Sequence, residues 1–300
     1  MRRLRMLALG ASMLVLLSAC STGGGSKPTI KLGSDGFYES KIVAEIYGQA
    51  LEHNGYTVDR TGIGLKSRDV SAPALESGQI DLKPEYIGSG LAHYKGTPTG
   101  DPAANAAALQ TVLNGKGGGI TVLTYSPAAD QNAFVVTKAT ADQFHLATLS
   151  DTTAVQAQLK FGVATDCATN PVCAAALKSA YGLDLANATP LDACSAAMAT
   201  ALGAGTVAVG ELCSTQPDIA QNNWVVLTDD KHVQPADNLA PLVRNDLLAK
   251  VDKVSFEKIL NDISAKMTTA DLTKLNAESV FDKKDISAIA KEWLTTNGFV

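Results

Sequence analysis

The sequence predicts an α/β protein of two lobes with a ligand cleft between them. Short apolar strands alternate with amphipathic helices along most of the chain. Turn-rich segments interrupt that alternation at 126–132 and 230–238, and the last sixty residues read as helix alone. Three hundred residues suffice for two domains or for one large α/β unit, and at 46% hydrophobic and only 18% charged the chain can bury a substantial core. The two interruptions read as crossings, giving a first lobe of 29–130 and 233–300 and a second of 131–232. Loops from both lobes then face a cleft that closes by hinge motion.

The first strand is 29–33 (TIKLG), followed by the loop SDGFYES. The next helix carries an apolar stripe of Ile42, Val43, Ile46, Tyr47, Ala50 and Leu51 and stops at Gly55. A second strand runs from Tyr56 toward Ile63. Gly62-Ile63-Gly64 has Ser67 where a dinucleotide fingerprint needs its third glycine, so it reads as a tight turn into a helix capped by Ser67.

The central stretch is 74–93, ALESGQIDLKPEYIGSGLAH. It contains a helix end capped by Gly78 and a strand in which Ile80 and Leu82 alternate with Asp81 and Lys83. Pro84 is expected to end the pairing, and a loop then opens a new helix. Open α/β sheets bind ligands where strand ends meet helix starts, so Tyr86 and Ser89 lie on a binding loop. Asp101-Pro102 opens an Ala-rich helix to 113, and strands follow at 120–125 and 133–137.

In the second half, helices are expected at 141–144, from a Ser150 cap to 159, at 171–181 and at 193–202. Strands are expected at 161–165, 206–212, 224–228 (buried) and 239–243, and closing helices at 255–267, 270–275 and 286–294. Trp224 and Trp293 sit in apolar patterns and read as core.

At the N-terminus, Arg2, Arg3 and Arg5 precede an apolar run over 6–17, too short to span a bilayer with ease. Leu17-Ser18-Ala19-Cys20 looks like a bacterial lipobox, with 1–19 expected as a signal peptide, Cys20 as the lipidated residue and 20–28 as a flexible tether; an ordinary signal peptide with a stray cysteine is the rival reading. Cleavage removes three arginines and no acid, taking the formal charge from −5 to −8. Such acidity argues against nucleic acid as a partner.

Export places Cys167, Cys173, Cys194 and Cys213 where disulfides persist. Of three possible pairings, Cys167–Cys173 closes a short loop and leaves Cys194–Cys213. Metal binding is the rival reading, with no histidine at ligand spacing.

The landmarks 30–34 (IKLGS), Phe37, Glu39, 44–47 (AEIY), 74–82 with 84–89 (PEYIGS), 149–151, 181–183, 214–215 and 226–231 resemble one family in order and spacing. The chain looks like the osmoprotectant-binding proteins of ABC importers, the ProX/OpuBC-like group that captures glycine betaine, choline and related compounds. The resemblance implies a type II periplasmic-binding-protein fold, a quaternary ammonium held by aromatic faces, and permease and ATPase partners.

Tyr86 matches a cage tyrosine of that family, Ser89 a ligand-contacting threonine, and Ser40 a polar position of the first loop. The sequence departs from the family at Asp130-Gln131-Asn132-Ala133-Phe134, around Asn170 where an arginine is expected, and near Cys213, where tyrosines are absent. The ligand is therefore left open.

Phe37 and Tyr38 can replace a lost ring. Asp130 suits a cation, and Tyr125, Asn132, Phe134, Ser214 and Thr215 are further candidates for contact. Scattered histidines with no HExxH, GxSxG or phosphate loop give no catalytic constellation. The reading is a lipid-anchored, monomeric solute-binding protein with no cofactor or metal. A sensor or scavenging lipoprotein, or an extracellular enzyme on the same scaffold, are its alternatives.

Overall fold

A computed structural model describes residues 27–165, 167–170, 172–192 and 194–300. The signal peptide and the lipidated Cys20 expected from the sequence lie outside the described residues.

The first lobe opens with β1 (Thr29–Asp35), α1 (Tyr38–His53), β2 (Thr57–Leu65), α2 (Arg68–Ser77), β3 (Leu82–Tyr86), α3 (Ile87–His93), α4 (Pro102–Leu113) and β4 (Ile120–Val122). The second holds β5 (Asn132–Val136), α5 (Lys138–Phe144), α6 (Leu149–Thr152), β6 (Phe161–Val163), α7 (Ala174–Tyr181), β7 (Thr189–Pro190), α8 (Ala196–Gly203), β8 (Val209–Cys213), α9 (Pro217–Gln221) and β9 (Val225–Leu227). The chain then returns through β10 (Leu239–Arg244), α10 (Asn245–Leu248), α11 (Lys253–Lys266), α12 (Thr269–Val280) and α13 (Ile286–Thr296).

Two five-stranded sheets result, ordered β2-β1-β3-β10-β4 and β7-β6-β8-β5-β9. Each has three parallel strands beside one antiparallel strand that arrives from the other lobe. Parallel strands need helical crossovers, which is why helices cover the sheets. Gly33 pairs with Gly62 under Ile80, and a Cβ on either would sit 2.4 Å from an Ile80 carbon. Glycine is required there by close packing.

The apolar stripe of α1 meets Phe256, Leu260 and Ile263 of α11, Leu272 and Leu275 of α12, and Ile289 and Leu294 of α13 in one core. The closing helices thus return to the first lobe. They also hold the crossing: Ala128 donates its N–H to Met267 O at 3.1 Å, and Ala129 to Thr269 Oγ1 at 3.1 Å. An antiparallel bridge between Ala129 and Asn238 ties the two crossing segments together. Both disulfides, Cys167–Cys173 and Cys194–Cys213, are formed.

Several elements differ from expectation. Pro84 lies inside β3 opposite Pro241 of β10 and does not end the pairing. Pro241 turns its carbonyl to Leu123 N–H, away from β3, so the two prolines form a pair that exchanges no hydrogen bonds and needs no N–H. Gly62-Ile63-Gly64 is likewise strand, within β2, and not a turn.

Trp224–Thr228 is not a buried strand. β9 is an edge strand paired only with β5, and Val226 is 40% exposed. The cap of α6 is Thr148, in a reciprocal box with Asp151, rather than Ser150. Helices α7 and α8 begin at Ala174 and Ala196, both later than expected. Trp293 is buried as expected, whereas Trp224 is half-buried.

Lys83 is fully buried. Its Nζ lies 3.1 Å from Asp35 Oδ1, 3.0 Å from Glu85 Oε2 and 2.7 Å from Ser71 Oγ. Lys83→Met removes one cation and leaves two buried carboxylates facing each other. It is expected to cost about 3–5 kcal/mol of stability, read from urea unfolding.

Candidate functional site

A cleft of about 1060 Å³ is walled by the first lobe through Phe37, Arg68, Tyr86, Ser89 and Lys95. The crossings contribute Asp130, Gln131, Asn132 and Asp237, and the second lobe contributes Thr169, Asn170, Val172 and Cys213. Tyr86 is the last residue of β3 and the N-cap of α3, so strand geometry fixes its backbone at the mouth of the sheet. Phe37, the N-cap of α1, places its ring 5.9 Å from that of Tyr86, tilted by 36°. Phe37 is 41% exposed, an aromatic face left open within the cleft.

The phenol of Tyr86 donates to Glu39, in the first turn of α1. Glu39 accepts a second hydrogen bond, from Asn276 Nδ2 of α12 at 2.5 Å. Asn276 also donates to Thr215 O of the second lobe at 3.1 Å. One buried amide thus joins the helix behind the Tyr86 ring to the opposite lobe.

Arg68 lies against Glu85 through Nε at 3.0 Å and Nη2 at 2.9 Å. Burial works against the Glu85 charge, yet Lys83 and Arg68 together hold its carboxyl down to about 2. Glu39 behaves oppositely: burial and the nearby Asp130 push it up to about 7, against the hydrogen bonds from Tyr86 and Asn276. Burial also raises Asp130. It lifts Asp237 to about 7, although Asp237 accepts Gly88 N–H at 2.8 Å, Ser89 N–H at 2.9 Å and the Ser89 hydroxyl at 2.5 Å. Burial and Glu39 keep the Tyr86 phenol neutral, well above its ordinary value.

Of the residues singled out from sequence, Tyr86, Ser89, Phe37, Asp130 and Asn132 meet in this cleft. Tyr38 starts α1 half-buried, within the influence of Asp130 and Asp218, and does not line the cleft. Ser40 is fully buried and accepts the Asp35 N–H at 3.1 Å, closing the turn after β1.

Phe134 is buried in β5, at the edge of a smaller cavity that Ser214 also borders. Ser214 receives Gln131 N–H at 3.1 Å and donates to Ala129 O at 3.0 Å, pinning the crossing. Thr215 is buried and gives its N–H to Asp130 at 3.3 Å. Tyr125 packs, half-buried, beside the α3–α4 core.

Sequence reading missed Arg68, Lys95 and Asp237 in the wall, and Glu39 and Asn276 behind it. Asp237 had a signal, an acid set just before a strand in the second crossing. Asn276 had none, being one polar residue inside an amphipathic helix.

The fold and cleft define an extracytoplasmic solute-binding protein of the type II class. The model for the substrate binding domain of the ABC-type glycine betaine transport system matches residues 28–296, and the chain belongs to that family. It is 28% identical over 292 residues to the carnitine transport binding protein OpuCC of Listeria monocytogenes, covering 95% of this chain and 93% of that one. It is 25% identical over 308 residues to the glycine betaine-binding protein YehZ of Escherichia coli, covering 98% and 99%. A solved glycine betaine/carnitine/choline ABC transporter structure superimposes with a TM-score of 0.81 at 25% identity, covering 90% of this chain and 99% of that one.

Glu39 and Asp237 keep protons up to about pH 7 when folded, whereas their ordinary values are 4.5 and 3.8. Between those limits the native state binds more protons than the unfolded chain, so stability falls as pH rises. Urea unfolding of the ligand-free protein is expected to show greater stability at about pH 5 than at about pH 8, and Asp237→Asn to flatten the difference.

Proposed function

We propose that the chain is the lipid-anchored solute-binding component of an ABC importer and that it captures a small quaternary ammonium solute. The observation that carries this reading is the ring pair of Phe37 and Tyr86 beside Asp130 and Asp237 in one cleft. A quaternary ammonium neither gives nor accepts ordinary hydrogen bonds. Ring faces and carboxylates are what attract it. The names of the relatives, which bind carnitine and glycine betaine, support the same class of solute.

In this reading Phe37 and Tyr86 receive the ammonium on the first lobe, with Asp130 and Asp237 facing its charge. Asn132, Thr169 and Asn170 supply polar contacts from the crossing and the second lobe. Closure desolvates the solute, and the closed form docks as a monomer on the permease. Cys20 holds the protein at the outer membrane-facing surface through its acyl chains. The lipobox-like sequence supports that anchoring.

Calorimetry with choline, glycine betaine and carnitine tests the reading. At least one is expected to bind, with Tyr86→Ala and Phe37→Ala each weakening it about five- to thirtyfold, the worth of one cation–π contact. Failure of all three to bind, or binding indifferent to both rings, would contradict it.

A further inference from the structure

The charges around the cleft fall into two sets. Lys83 and Arg68 are matched by Asp35 and Glu85 in direct contact. Glu39, Asp130 and Asp237 have no such match in contact: among the described residues no lysine or arginine lies within 4.0 Å of any of them, and Arg68 acts on Asp237 only from beyond that distance. Glu39 and Asp237 are buried, and Asp130 is half-buried in the cleft wall.

Buried carboxyls without a cation are costly when ionised, and neighbouring ones raise one another further. Among the described residues no three His, Cys, Asp or Glu side chains converge as metal ligands. Of the cations that line the cleft, Arg68 already gives two N–H groups to Glu85, and Lys95 stands exposed.

Resting on the reading of the cleft as a quaternary ammonium site, we propose that it selects solutes with net positive charge over zwitterions that carry their own carboxylate. Glu39, behind the Tyr86 ring, is a positioning residue that sets this preference. A monocation supplies the counter-charge the three carboxyls lack. A zwitterion brings a fourth carboxylate to a site whose arginine already gives two N–H groups to Glu85 and whose lysine, Lys95, stands out in solvent.

Glu39 acts through its surroundings. It faces Tyr38 beside it on α1, Tyr86 of β3, Asp130 of the crossing, Asn276 of α12 and Thr215 beyond β8. Asp237 faces Ser89 of α3, Arg68 of α2 and Glu85 of β3. Because burial holds protons on Glu39 and Asp237 near neutral pH, an arriving monocation takes the place of a proton, and capture releases protons to solvent.

Choline and glycine betaine form the probe pair, alike in the trimethylammonium head and differing in net charge. Titration calorimetry of the mature chain in two buffers of different ionisation enthalpy measures affinity and proton release together. Choline is expected to bind about tenfold or more tighter than glycine betaine at neutral pH, with proton release, and to weaken toward pH 5.5.

Glu39→Gln keeps the shape and removes the charge, and should narrow the choline-to-betaine ratio severalfold. A mere displacement of the ring would weaken both solutes in proportion and overturn the role of Glu39. Asp237→Asn, with its fold checked by thermal melting, is the second variant and should narrow the ratio in the same way. Glycine betaine binding as tightly as choline, without proton release, sinks the charge preference while the quaternary ammonium reading stands. Binding of neither solute sinks both.

Discussion

The ammonium of Lys83, sealed under the first sheet, can exist only where carboxylates meet it. That requirement fixes the end of β1 through Asp35, the body of α2 through Ser71, and the end of β3 through Glu85. Glu85 in turn fixes Arg68, so the first turn of α2 is set from beneath. Three elements are thereby locked at the height where their loops become the cleft wall. Stability is not the obvious gain, because buried ion pairs often do no better than apolar packing. What the network supplies here is position.

Above this neutral foundation the cleft carries carboxyls that no ion pair meets among the described residues. Tyr86 and Phe37 stand on the rim of the fixed elements, and Asp130 and Asp237 come from the two crossings, which the Ala129–Asn238 bridge ties together. α12 touches both sides: its Asn276 reaches Glu39 in one lobe and Thr215 in the other. Any movement of one lobe against the other would therefore act on the same hydrogen bonds that hold the Tyr86 ring.

The two-sheet architecture was legible in the sequence because it rests on periodicity and punctuation. Gly78 sits in a left-handed cap, and Asp101 caps α4 with Pro102 behind it. The resemblance pointed correctly to the family, and Tyr86 and Ser89 do face the cleft. What failed had local causes. Pro84 reads as a strand breaker until its partner is known to be another proline, and the alternation of Lys83 with Ile80 and Leu82 does not show that both faces of the sheet are covered. Edge and centre cannot be told apart in WVVLT, since apolar runs look alike in either place. Glu39, Asn276 and Asp237 come from distant parts of the chain, and only folding shows that they share one site.

A crystal structure of the protein grown with choline tests the central claim most directly. The account predicts the ammonium nitrogen within about 6 Å of both the Phe37 and Tyr86 rings, with Asp130 or Asp237 on its open side. Density for the solute elsewhere, with the two rings packed together and no space between the lobes, would contradict it.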